Sequence, residues 1–271
     1  MTAGVVHEID LPTAPPRGRL GLPLRAYTLL SFAVLLALWQ LLVPALHVPK
    51  YLVPTPLDVL ARTTAAWPIL LTNLLVTLRE VAVGFGLAVM VSIPLALLLA
   101  YSPMLEAIAY PVLVFLQIVP KIALAPLLVV WFGFGIESKI LITFLLCFFP
   151  IVVDAIVGFK SVPPALLQLA SSMRARPLAL FFKIRLPSAL PHIFAGLKVS
   201  IALATTAAIV GEFVGADVGL GYLLQRAHGD LDTELLFSAI CLLSVMGLIL
   251  YTIVELIERY SIPWHVSQRR G

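Results

Sequence analysis

The dominant constraint on this chain is a series of apolar runs, each about as long as a bilayer is thick. A helix that spans a membrane needs about 20 predominantly apolar residues. Such runs fall at about 27–46, 72–100, 105–131, 137–159, 190–213 and 235–257 of the 271 residues. The 72–100 run is long and begins amphipathically, with Arg79 and Glu80 near its start. The 105–131 run carries Pro111, Pro120 and Pro126, which predict a span in two pieces. The first run is too long for a signal-peptide core of roughly 7–15 residues, so it is expected to stay in the mature chain.

Composition agrees. The chain is 61% hydrophobic and 12% charged, against about 45–50% and about 25% in soluble domains. The net charge of +4 reads as membrane topology. No basic face with interleaved aromatics points to nucleic acid. Cys147 and Cys241 lie inside apolar runs without C-x-x-C spacing and read as small buried hydrophobes.

Lysine and arginine cluster on the cytosolic side of membrane proteins. Here they gather in the N-terminal tail (Arg17, Arg19, Arg25), in the loop after the fourth run (Lys160, Arg174, Arg176, Lys183, Arg185) and at the C-terminus (Arg259, Arg269, Arg270). Six spans place all three on one side. The reading is a cytosolic tail over 1–26, a membrane domain over 27–262 and a cytosolic basic tail over 263–271. The opposite side takes 47–71, a turn near 132–136 and the loop 214–234, which holds Asp217, Asp230, Asp232 and Glu234 against Arg226. Thr55 followed by Pro56 predicts the N-terminus of a short surface helix.

The loop at about 160–189 is basic and free of acids beyond Lys160. Pro163 and Pro164 end one helix; Leu166, Leu169, Ala170 and Met173 then keep the spacing of one helical face. Pro177 starts a second short helix, which Pro187 and Pro191 are expected to separate from the fifth span. Physically, two short helices here suit either an interfacial element on anionic headgroups or a knob for a cytosolic partner.

The spacing resembles the cytosolic loop of permease subunits of bacterial ABC importers: Glu-Ala-Ala, three residues, Gly, nine residues, Ile, one residue, Leu-Pro. It falls here on Gln168-Leu169-Ala170, then Arg174, then Ile184, Leu186 and Pro187. Gln168, Leu169 and Arg174 depart from the pattern. Glycine at position 174 would accept a left-handed turn at lower cost than arginine. "YLVPTP", "VPKIALAPLLVVWFGFGIESKI", "FFPIVVDAIVGFKSV", "RLPSALPHIFAGLKVSIA" and "VGEFVGADVGLGYLL" extend the resemblance, from about Lys50 to the C-terminus, to the nitrate/sulfonate/taurine-type permeases. That group also takes up pyrimidine and flavin precursors.

The resemblance implies an all-α membrane protein of about six transmembrane helices, similar to type I ABC importer permeases, with a cytosolic coupling loop between spans 4 and 5. It implies a multi-pass protein of the bacterial inner membrane with both termini cytosolic. The implied partners are two cytosolic ATP-binding subunits, a second permease copy or homologue and an extracytoplasmic binding protein. No lysine follows a glycine, so the chain carries no G-x-x-x-x-G-K-[ST] phosphate loop. No catalytic constellation, cofactor or metal site is expected, since the five histidines are scattered.

Few charges remain within the spans. Lys198 reads as a snorkelling cation or as the partner of Asp154. Glu212, among Gly211, Gly215, Gly219 and Gly221, reads as an interfacial acid or a gate. Broken helices line transport cavities, so Gln117, Pro120, Lys121 and Pro126, with Glu212, are the candidate pathway residues. A secondary transporter or a membrane scaffold are the competing functions. The sparse cations of the spans favour an uncharged or weakly charged organic nutrient over a strongly bound anion, though either fits the resemblance.

Overall fold

The structure, a computed structural model, describes residues 24–264. Arg17, Arg19, Arg269 and Arg270, expected in the two tails, lie outside the described residues. Backbone contacts group the chain as 1–47 and 48–271. The first unit contains α1, Leu24–Ala45, which is apolar along Leu30–Ala45 and coincides with the first expected span.

In the second unit, α2 (Pro56–Ala65) starts on the expected signal. The Thr55 side chain accepts from the Asp58 N–H, and the Asp58 carboxylate accepts from the Thr55 N–H. A Lys50 ammonium 2.7 Å away and the Thr55 hydroxyl hold the Asp58 carboxyl below its usual range. Helix α3 (Trp67–Tyr101) follows directly. At 35 residues it is about 52 Å long at 1.5 Å per residue, well beyond a hydrocarbon core of about 30 Å.

The third span is broken, as its prolines suggest, at one of the three. Helix α4 (Pro103–Ile118) contains Pro111 without ending. Pro120 marks the break, followed by a 3-10 turn at Lys121–Leu124. Pro126 sits in the first turn of α5 (Ala125–Phe132), where its missing N–H costs nothing. The two pieces meet at 80°.

Helix α6 (Ile136–Lys160) is the centre. It packs against α3 and against α9 (Leu186–Gly215), so its buried residues extend around the helix, from Ile142 and Cys147 to Val152 and Phe159. Close approach is possible because small residues face it. A Cβ on Gly84 of α3 would lie 2.6 Å from Thr143, and one on Gly196 of α9 would lie 2.9 Å from Asp154. Cys147 and Ser200 bridge α6 and α9: the Ser200 hydroxyl donates to the Cys147 carbonyl at 2.9 Å. Cys147 is buried, as expected, and Cys241 is exposed.

The basic loop forms α7 (Pro164–Ser172) and α8 (Pro177–Leu180). Helix α8 does not stand apart from the fifth span. A π turn at Phe181–Arg185 joins it to α9, and helix runs unbroken from Pro177 to Gly215. The Leu186 N–H reaches five residues back to the Phe181 carbonyl. This wider turn lets Pro187 enter the helix, where a proline would otherwise break it. The 214–234 loop contains a further helix, α10 (Leu220–Gly229), which buries Leu220, Leu223, Leu224 and Ala227. Helix α11 (Thr233–Ser261) completes the chain, capped by the Asp232 side chain. Among the described residues, four helices are long and apolar enough to cross a membrane, or five if the broken pair counts as one span.

Lys198 does not pair with Asp154. Its ammonium lies 2.7 Å from the Glu258 carboxylate of α11, and the Asp154 side chain packs against Gly196. An isolated charge in an apolar bundle is costly, and a nearby opposite charge offsets that cost. Lys198→Met is expected to cost about 3–5 kcal/mol by stranding Glu258. Lys198→Met with Glu258→Leu should recover most of it, and Lys198→Met with Asp154→Asn should recover none. Denaturant unfolding in detergent checks the three.

Candidate functional site

The positions expected to dock a partner run from α7 through the following turn and the π turn into the start of α9. Gln168, Leu169 and Arg174 are exposed, Ala170 is buried, and Ile184, Leu186 and Pro187 are half-buried. Arg174 has φ 51°, the left-handed conformation expected at the position where the family pattern has glycine. Two bonds close the turn: Arg174 N–H to the Ser171 carbonyl and Ala175 N–H to the Ala170 carbonyl, both at 3.0 Å. This is a Schellman ending, which normally places glycine where Arg174 stands. The turn shape survives the departure from the pattern, at the cost of strain at Arg174. Leu169, Met173, Leu178 and Phe182 are exposed around it.

Glu212 is not an interfacial acid. It is 1% exposed and holds the amino end of α10. The Gly221 N–H donates to Glu212 Oε2. The Thr77 hydroxyl of α3 donates to Glu212 Oε1 at 2.6 Å and accepts from the Leu220 N–H at 2.8 Å. Asn73, one turn earlier, accepts from the Gly219 N–H at 2.7 Å. Three successive amides at the positive end of a helix are thus met by side chains from two other helices. Gly219 has φ +119°, and a Cβ there would lie 2.3 Å from the Glu212 carboxyl group. Glycine is required both by the backbone conformation and by the space.

A second carboxyl group, Glu80, joins the cluster at 2% exposure and meets Glu212. Lys139 of α6, 5% exposed, supplies the nearby cation while donating to the Phe134 carbonyl at 2.6 Å. Sequence reasoning singled out Glu212 and its glycines and missed Asn73, Thr77 and Lys139. The signal was present: Asn73, Thr77 and Glu80 recur at i, i+4 and i+7, one face of a helix.

The other pathway candidates sit apart from this cluster, at the α4–α5 break. Gln117, Pro120 and Lys121 line a cavity of about 300 Å³ with Ile122, Leu146, Pro150 and Leu203. The Lys121 ammonium donates to the Gln117 carbonyl at 2.7 Å and lies 4.8 Å from the centre of the Phe149 ring. Pro126 is exposed and is not among the lining residues.

Residues 92–261 match the family model described as "Binding-protein-dependent transport system inner membrane component". The formylaminopyrimidine transport permease ThiX of Halalkalibacterium halodurans is 35% identical over 88% of this chain and 96% of its own. The riboflavin transport system permease RibX of Chloroflexus aurantiacus is 38% identical over 92% of this chain and 91% of its own. The taurine transport system permease TauC of Escherichia coli is 30% identical over 87% and 88%. A chain of the MetNI methionine ABC transporter, in an inward-facing crystal form, shares the fold. Its TM-score is 0.62 at 19% identity, covering 72% of this chain and 97% of that one.

Two stability tests follow from this geometry. Glu212→Ala removes the acceptor for Gly221 and the partner of Thr77, and should cost about 3 kcal/mol; Gly219→Ala should cost at least as much. Arg174→Gly should be neutral or stabilising by up to about 1 kcal/mol, because it relieves a left-handed side-chain residue, whereas Arg174→Val should destabilise. Thermal unfolding of the detergent-extracted protein checks each.

Proposed function

The chain belongs to the binding-protein-dependent transport system inner membrane component family, and on that premise we propose that it is the permease subunit of an ATP-driven nutrient importer. The observation that carries the reading is the α7–α8 segment: a short helix, a closed turn with exposed apolar side chains, and a second helix continuous with a span. In this reading Gln168, Leu169, Ala170, Arg174, Ile184, Leu186 and Pro187 form the coupling surface. Two cytosolic ATP-binding subunits receive it, one on each of two permease copies. An extracytoplasmic binding protein delivers a small nutrient on the opposite side. Both chain termini are then cytosolic, in line with the placement of lysines and arginines.

The division of labour is physical. Hydrolysis belongs to the partner, since this chain has no phosphate loop. Its own contribution is to convert the partner's motion into opening of a passage. The broken span supplies the candidate lining for that passage: Gln117, Pro120 and Lys121 at the cavity, with Pro126 in the adjoining turn. Glu212 acts from the other end, by fixing α10 to α3 and α9.

The test is co-purification from the native membrane in mild detergent through a C-terminal tag, with a parallel Ala170→Glu, Leu186→Asp variant. An ATP-binding protein is expected with the native chain and lost from the variant. A well-folded native chain that brings down no ATP-binding protein sinks the importer reading and favours an interfacial role for the loop.

A further inference from the structure

Where the α8–α9 helix leaves the basic loop, an apolar groove runs between it and the end of α3. Leu97, Leu98 and Tyr101 form the α3 wall, and Leu178, Phe181 and Phe182 form the facing one. Its volume is about 560 Å³. Apart from the Tyr101 hydroxyl, no lining side chain bears a polar atom. Leu98, Tyr101, Leu178 and Phe182 are exposed. Both walls belong to helices long and apolar enough to cross a membrane, so hydrocarbon is a better filling than water. None of the seven positions assigned to coupling lines this groove.

A cation adjoins it. The Arg185 guanidinium lies over the Tyr101 ring, 4.5 Å from its centre, so a ring that lines the groove also carries a positive charge. Arg185 Nε is buried without a hydrogen-bond partner. Among the described residues, no carboxylate lies within ion-pair distance of Arg185. A guanidinium N–H withdrawn from water without an acceptor is costly. The surrounding chain offers no remedy, since no acid occurs from Lys160 to Pro191, where Arg174, Arg176 and Lys183 add to the positive charge. The missing partner is an anion, and the groove beside it suits an alkyl chain. A phospholipid with a negative headgroup supplies both in one molecule, and the guanidinium fork matches phosphate oxygens.

We propose that this groove is a binding site for an anionic phospholipid, with an acyl chain between α3 and the α8 stretch and the headgroup phosphate on Arg185. The proposal needs the chain to sit in a bilayer and does not depend on an ATP-binding partner. A lipid held there braces the start of the α8–α9 helix against α3.

The test is fluorescence quenching by brominated lipid. The full chain carrying Phe182→Trp is placed in phosphatidylcholine vesicles with a minor share of phosphatidylglycerol, and the signal of the parent chain's own tryptophans is subtracted. Bromine is put on the acyl chains of one lipid at a time, where it quenches an indole that it touches. Brominated phosphatidylglycerol should reach the reporter about fivefold more than its share of the lipid, the preference expected from one cation beside a headgroup. Arg185→Gln should return quenching to that share. Arg185→Lys keeps the charge and should keep the enrichment, which separates loss of the cation from loss of the fold. Lys183→Gln removes an equal charge from a side chain that lines a different cavity and should leave most of the enrichment. Quenching at the bulk share before any change at Arg185, enrichment that survives Arg185→Gln, or an equal loss with Lys183→Gln overturns the proposal. So does a reporter that neither brominated lipid reaches, because another part of the protein then fills the groove.

Discussion

The α10 end of this bundle depends on one buried carboxylate. Glu212 sits where α9 is about to end and meets the first amides of the following helix. With Thr77 and Asn73 it satisfies three N–H groups that would otherwise be orphaned in an apolar setting. In the turn between α9 and α10, Gly219 is held against the Glu212 side chain, as is Gly221 in the first turn of α10. Helix α10 thereby becomes part of the core and α3 is tied to both. The nearby Lys139 brings α6 into the same arrangement. The three long helices that pack on one another are joined here by polar contacts as well as by apolar ones.

Much of this was legible in the sequence. Runs of about 20 apolar residues give helices whatever their neighbours, because length and composition decide. The Thr55-Pro56 start and the break in the third span could be read because each depends on a few adjacent residues; the left-handed turn at Arg174 came from the glycine of the family pattern that the loop resembles. The merger of α8 with α9 was not legible. Proline alone predicts a break, and the π turn that absorbs it is a backbone choice made by the surrounding packing. Helix α10 lay within a stretch taken as a loop, though Leu220, Leu223, Leu224 and Ala227 carry helical spacing.

The charged residues show the same division. Glu212 stood out because glycines crowd around it. Its partners did not, since a threonine and an asparagine in an apolar helix are unremarkable until a third helix brings a carboxylate to them. Lys198 was placed correctly in its span and given the wrong partner. Asp154 and Glu258 were both available acids, and only the packing of α11 against α9 decides between them. Of the residues named from the sequence at the broken span, Gln117, Pro120 and Lys121 line a cavity and Pro126 does not; Leu146 and Pro150, which reach it from α6, were not named.

The continuous helix from Pro177 to Gly215 has a mechanical consequence. Its 39 residues form a rod of about 58 Å at 1.5 Å per residue. One end lies beside the strained turn at Arg174, and the other carries Glu212. A rod of this kind cannot absorb a displacement along its length; it passes on tilt and rotation alike. Its hydrogen-bond ladder is interrupted at the π turn, where it changes step, and at Pro191, which has no N–H to give. Whatever pushes on Pro177 is therefore working, at the far end of the same helix, against the grip of Glu212 and its two polar neighbours on the start of α10.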